Sequence, residues 1–120
     1  MSEQEAGPKV VIDCLGGNCP VQAEGTINGN AFYFRARGQS WSLGIGGADP
    51  CGDPEWEHRE WFGRWPDAGW MTVGRAKGFL RAAAARYAAG LPAGRLEDDP
   101  VRMAEARARH AALYGGKVGG

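Results

Sequence analysis

The stretch Val21-Gln-Ala-Glu-Gly-Thr-Ile-Asn28-Gly29-Asn30-Ala-Phe-Tyr-Phe-Arg-Ala-Arg-Gly38-Gln39-Ser40-Trp-Ser-Leu-Gly-Ile45 decides the fold. Asn28-Gly29 lies between two alternating runs. Both central residues of a type I′ turn need positive φ, which Asn and Gly tolerate best, so this pair marks a hairpin tip. With the tip placed there, Ile27 faces Asn30, Gly25 faces Phe32, Ala23 faces Phe34 and Val21 faces Ala36. All of these share one side of the pleat, and Gly25 leaves the Phe32 ring bare backbone to lie on. Gly38-Gln39 supplies a second two-residue turn, with Gly first as type II′ prefers. It sets Ala36 opposite Trp41, Phe34 opposite Leu43 and Phe32 opposite Ile45, so the same side stays apolar.

Working backwards, a turn at Gly16-Gly17 sets Cys14 opposite Cys19, Ile12 opposite Val21 and Val10 opposite Ala23. Three separately placed turns then agree on one face, which predicts a four-stranded antiparallel meander over residues 9–46. The other face collects Val11, Asp13, Gln22, Glu24, Thr26, Tyr33, Arg35, Arg37, Ser40, Ser42 and Gly44. It reads as a wetted surface.

Downstream the pattern changes. Residues 47–71 hold three prolines, several aromatics and six acids with no sustained period, and read as an ordered Trp-rich loop with a short helical turn near 55–62. Thr72 is a natural N-cap for a helix over 72–90. Its apolar stripe Val73, Ala76, Leu80, Ala83, Tyr87 suits packing on the meander, and Gly90 and Pro92 end it. Asp99-Pro100 opens a second helix over 99–114, with a thin stripe of Val101, Ala104, Ala108 and Ala111. Residues 1–8 read as a flexible N-terminus and 115–120 as a flexible glycine-rich tail. The expected architecture is therefore a single α+β domain over 9–114: a meander backed by one helix, plus a second C-terminal helix.

Composition limits the function classes. The chain has 120 residues, enough for one core and too few for two. Fourteen basic residues balance fourteen acidic ones, which argues against a general nucleic-acid binder. The balance is local rather than uniform. Residues 1–70 hold five basic and ten acidic residues and residues 71–120 hold nine and four, so the halves carry −5 and +5. No apolar run approaches the ~18 residues of a membrane span, and no secretory leader is recognisable. Three cysteines are too few for a disulfide scaffold, so the expected compartment is the cytoplasm.

Several constellations hold residue types that can carry chemistry. Cys14, Cys19, Cys51 and His58 are ligand types that zinc takes, but they lack knuckle spacing. Buried thiols are the plainer reading, with a Cys14–Cys19 disulfide as another. Cys51 and His58 share a loop with Asp53, Glu55, Glu57 and Glu60, yet nothing in the sequence supplies nucleophile–base geometry or a cation cage. Gly44-Ile45-Gly46-Gly47 lacks the ending of a P-loop. No cofactor is implied.

Two surfaces remain. Trp56, Trp61 and Trp65 alternate with Glu55, Glu57, Arg59 and Arg64, the residue mix of a protein-interface hot spot or, equally, of a loop that wraps the end of the sheet. Trp70, beside the helix start, is expected to seal the core edge. Tyr33, Arg35 and Arg37 lie on the wet sheet face, where one aromatic beside two cations is similar to the way RNA-binding sheets stack bases. Glu24 falls opposite Tyr33, and cross-strand salt bridging with plain solvation is the plainer reading.

The strings Cys19-Pro-Val-Gln-Ala-Glu-Gly, Phe32-Tyr-Phe-Arg-Ala-Arg-Gly with Trp41-Ser, and Ala68-Gly-Trp-Met resemble small uncharacterised proteins encoded by phages and prophages of proteobacteria. The resemblance spans residues 19–90 and implies a genetic setting without an activity. The expectation drawn from the sequence is a non-enzymatic binding protein, a phage-type inhibitor or modulator of a host protein acting through the Trp-rich acidic loop. A nucleic-acid-binding module using the sheet face or the basic helices is the alternative, and a small zinc-binding protein the third reading. Neither the partner nor the oligomeric state is legible.

Overall fold

The computed structural model describes residues 7–112. Expectations for residues 1–6, for the end of the second helix beyond 112 and for the tail fall outside them. Five antiparallel strands form one sheet in chain order: β1 (Val10–Gly16), β2 (Val21–Ile27), β3 (Asn30–Arg37), β4 (Ser40–Ile45) and β5 (Trp56–Trp61). Two helices follow, α1 (Val73–Ala88) and α2 (Pro100–His110). The class is α+β as expected, with one strand more.

Both central hairpins pair as their turns dictate. Ile27 faces Asn30, Gly25 faces Phe32, Ala36 faces Trp41 and Phe32 faces Ile45. Asn28 and Gly29 take the positive φ values of 50° and 83° that the tip demands. An ideal Cβ at Gly25 would lie 1.9 Å from the Val11 carbonyl oxygen and 2.9 Å from the Phe32 ring, so no other residue fits.

β1 departs from the expected register by four residues: Val10 pairs with Ile27 and Ile12 with Gly25. The chain does not reverse at Gly16-Gly17 alone but through a wider loop reaching Pro20. That loop is fixed to the body where the Cys19 amide donates to the Gly69 carbonyl at 2.7 Å. A bulge between Ile12 and Cys14 then moves the pairing by one, so Leu15 joins Ala23 on the core side and Cys14 joins Glu24 on the outer side. Cys14 and Cys19 therefore do not face each other, and all three cysteines are free and exposed rather than buried.

The segment expected as loop and helical turn contains β5. Its residues alternate cleanly: Trp56, His58 and Glu60 face Ile45, Leu43 and Trp41, while Glu57, Arg59 and Trp61 face Gly44, Ser42 and Ser40. Charge on both faces hides this strand from pattern reading.

The core lies between the sheet and α1. Val21, Ala23, Ile27, Phe32, Phe34, Ala36, Trp41, Leu43 and Ile45 meet Ala76, Leu80, Ala83 and Ala84, all buried. Alanine at three of the four helix positions lets the backbone approach the sheet closely, and larger rings fill the flank, where Phe34, Trp41 and Phe79 stack at 5.5 and 5.1 Å. The cap is as expected: Thr72 Oγ1 accepts from the Arg75 amide at 3.1 Å. Trp70 does not seal the core and stands 60% exposed. The 3₁₀ turn Asp67–Trp70 repeats every three residues, so Ala68 and Met71 share the inward side and Trp70 is turned out.

Gly90, at φ 74°, ends the path of α1. The chain then returns along the outer edge of β5, where the Arg59 amide donates to the Gly94 carbonyl at 3.0 Å. Asp99 Oδ1 caps α2 by accepting from the Arg102 amide at 3.0 Å, with Pro100 in the first turn.

Candidate functional site: an arginine-lined cleft

The sheet's outer side, opposite α1, is not a bare wet face. α2 is tied to it through Arg102, whose guanidinium lies 5.2 Å from the Trp61 ring centroid and donates to the Gly63 carbonyl at 2.7 Å. Between α2 and the sheet runs a cleft of about 450 Å³. Arg35 and Arg37 from β3, Ser40 and Ser42 from β4, and Arg59 from β5 form its floor. Ala106, Arg109 and His110 from α2 form its wall, and Trp65 stands beside it.

Each side chain arrives for a local reason. Period-2 alternation puts Arg35, Arg37, Ser40 and Ser42 on the outer face because their neighbours Phe34, Ala36, Trp41 and Leu43 are committed to the core. Arg59 joins through its pairing with Ser42. Trp65 is held by Gly38: an ideal Cβ there would sit 2.8 Å from the indole, so the ring packs directly on the hairpin backbone. It remains 46% exposed.

The electrostatics are one-signed. Four arginines line the cleft and no carboxylate does. Arg59 makes a 3.3 Å ion pair with Glu57, and among the described residues Arg35, Arg37 and Arg109 make none. A guanidinium cannot be deprotonated in this range and presents a flat fork of N–H donors, so these groups favour planar or tetrahedral oxyanions. Ser40 and Ser42 add neutral hydroxyls.

Tyr33 continues the same outer face next to Arg35. Its hydroxyl donates to Gln22 Oε1. The loop after β4 folds back against Gly44, where an ideal Cβ would lie 2.2 Å from the Pro50 carbonyl oxygen. Burial raises the Tyr33 pKa above the ordinary tyrosine value, and repulsion from Cys51 adds to it.

The Trp residues of the expected interface are not gathered into one surface. Trp56 is on the α1 side, stacked at 5.6 Å on His58 and edge-on at 5.4 Å to Tyr87, with its indole N–H donated to the Leu91 carbonyl. Trp61 is on the opposite side and donates to the Leu96 carbonyl at 3.1 Å. Both hold the returning chain. Of the residues named with them, Glu57 and Arg59 pair with each other, while the Arg64 amide donates to Asp67 at 3.1 Å. Glu55 packs near Gly46.

The zinc constellation does not assemble. His58 is buried on the core side, while Cys14 is near the opposite edge of the sheet and Cys51 is in the loop after β4. Among the described residues no group of three or more metal-capable side chains converges. His58 is engaged by Gly94 and Glu60, not by a thiol. No helix among the described residues is long and apolar enough to cross a membrane.

No family model, curated protein or solved structure matches the chain.

Arg35, Arg37 and Tyr33 are legible in the sequence as one surface, whereas Arg59, Arg109 and Trp65 are not legible as their companions. Arg59 needed β5 to be recognised, and Arg109 needed α2 to be docked. The serines at 40 and 42 carried the one available signal, since they alternate on the face that already held Arg35 and Arg37.

Proposed function

We propose that the protein is a non-enzymatic binding module that takes single-stranded nucleic acid in the cleft between the outer sheet face and α2. The observation that carries this reading is the convergence of Arg35, Arg37, Arg59 and Arg109 around one cleft without a lining carboxylate. Cations of this density would repel one another in an empty, buried site. In an open cleft they favour a phosphate backbone, whose condensed counterions are released on binding. The neutral net charge of the chain does not oppose this, because no carboxylate lines the cleft; Glu57 pairs with Arg59, which leaves Arg35, Arg37 and Arg109 without an ion pair among the described residues.

Aromatic groups flank the cations. Trp65 and, further along β3, Tyr33 offer faces on which unpaired bases can stack, and such stacking is sequence-tolerant. A cleft walled by a helix on one side suits a single strand better than a duplex. The outer sheet face and the Arg109 side of α2 border the same space.

Fluorescence anisotropy with a labelled single-stranded oligonucleotide tests the reading. Binding through about three phosphate contacts should weaken about 20-fold between 50 and 200 mM salt, from a slope of ~0.7 per contact on single strands. Absence of binding to single-stranded DNA and RNA at low salt would remove this function.

A further inference from the structure

The two edges of the sheet are treated differently. On β5 the chain covers its own edge: Arg59 donates to the Gly94 carbonyl, and Trp56 and Trp61 donate to the Leu91 and Leu96 carbonyls. Among the described residues nothing pairs with the outer side of β1. The Lys9 carbonyl accepts from the Asn28 amide at 2.9 Å, which turns Lys9 and Val11 towards β2. By antiparallel alternation, the N–H and C=O groups of Val10 and Ile12 point outward. Such a row is a template for a further strand.

Alongside that edge runs a groove of about 370 Å³ between β1 and α1. Val10, Ile12 and Leu15 form one side, and Val73, Lys77 and Arg81 the other. The three helix residues are four apart and so project as one stripe. Lys77 and Arg81 are exposed and make no ion pair among the described residues. Asp13, at the bulge, also borders the groove.

We propose that this edge binds an extended acidic segment of a partner protein by strand addition. Main-chain bonds would go to Val10 and Ile12. Alternate side chains of the added strand would point over the groove, where carboxylates meet Lys77 and Arg81. The spacings agree: four helix residues rise about 6 Å, and two strand residues about 6.8 Å. The occupant is thus acidic at every second position. A second copy of the chain fits less well, because two-fold pairing at β1 would bring both sets of Lys77 and Arg81 towards one seam. This site is on the far side of the sheet from the arginine cleft and stands or falls separately.

The test is an NMR titration of the isotope-labelled full chain with an end-blocked heptapeptide alternating valine and glutamate. Shifts centred on the Val10 and Ile12 amides, with slowed hydrogen exchange there, are expected. The same peptide with lysine for glutamate should not bind, and the variant carrying Lys77→Glu and Arg81→Glu should bind the acidic peptide about tenfold more weakly with an unchanged fold. Both substitutions are on exposed helix positions, so a folded variant is expected. No response at Val10 and Ile12, or equal binding of the lysine peptide, overturns the proposal. So does a concentration-dependent dimer paired through β1, or protection of these amides without peptide that disappears when residues 1–6 are deleted.

Discussion

The Nδ1 atom of His58 accepts a hydrogen bond from the Gly94 amide at 2.7 Å. Accepting it requires that nitrogen to be bare, which puts the ring proton on Nε2, 2.6 Å from Glu60 Oε2. The residue is 4% exposed, and its ring stacks on Trp56 and meets Trp41 at a tilt. One buried polar side chain therefore fastens the segment between the helices to the last strand.

His58→Ala should remove that fastening. It leaves a part-buried amide without a partner and a hole beside two indoles, each of which carries a cost. A loss of about 2–4 kcal/mol is expected from urea unfolding. Hydrogen exchange should rise first at Arg59 and Gly94, while the β2–β3 hairpin keeps its protection. Uniform loss of protection across the sheet would contradict the local role.

Arg35→Ala combined with Arg37→Ala should weaken oligonucleotide binding and flatten its salt dependence by about 1.4 log units per log unit of salt, two contacts at ~0.7 each. The same oligonucleotide tested against Trp65→Ala should lose affinity with its salt slope unchanged, since stacking releases no counterions. Anisotropy at three salt concentrations separates the two effects. An unchanged slope in the arginine double variant would contradict phosphate contact at these residues.

Gly25→Ala should be among the most damaging single-methyl changes available. The new Cβ would fall 1.9 Å from the Val11 carbonyl oxygen, so strand β1 has to move away. Overpacking of this kind costs about 1–3 kcal/mol or more. Gly29→Ala is the control: its Cβ meets nothing within 4 Å, and only the positive φ of 83° opposes it. Thermal unfolding should rank the two with Gly25→Ala clearly lower.

Tyr33 gives an alkaline signature. Burial raises its folded-state pKa above the ordinary 10.0, with Cys51 adding repulsion. The unfolded chain therefore ionises this phenol first, and above pH 10 it holds fewer protons than the native state. Stability supplied by Tyr33 is complete below pH 10 and is lost as pH rises through the folded value. Unfolding measured between pH 9 and 11.5 should fall less steeply in Tyr33→Phe than in the parent. Equal slopes would show that the phenol is not protected.

The legible and illegible parts of the chain divide on physical lines. Asn28-Gly29 and Gly38-Gln39 are tight turns whose backbone requirements name their residues, so the β2–β4 register followed from them. The β1–β2 connection has no such constraint. Its path depends on the distant contact between Cys19 and Gly69, and a bulge at Asp13 reverses the alternation that pattern reading relies on. β5 was hidden because His58 occupies a buried position that an aliphatic would ordinarily fill, and the two nitrogen partners that make this acceptable are far apart in sequence from each other. Trp41, buried and expected inside, was easy; Trp70, equally apolar, was misplaced because a single 3₁₀ turn decides which of four residues looks inward. The arginine cleft was half visible for the same reason, its floor being set by alternation and its wall by the docking of α2.

The covered edge of β5 also limits how the molecule can assemble. A strand joining β1 extends the sheet on one side only, and the chain between Leu91 and Arg95 occupies the place where a further molecule would have to attach. Head-to-tail growth needs two free edges on every subunit, and among the described residues each subunit offers one. Association through the sheet therefore terminates at a fixed stoichiometry, and the protein can present an open edge to a partner without seeding a fibre of itself.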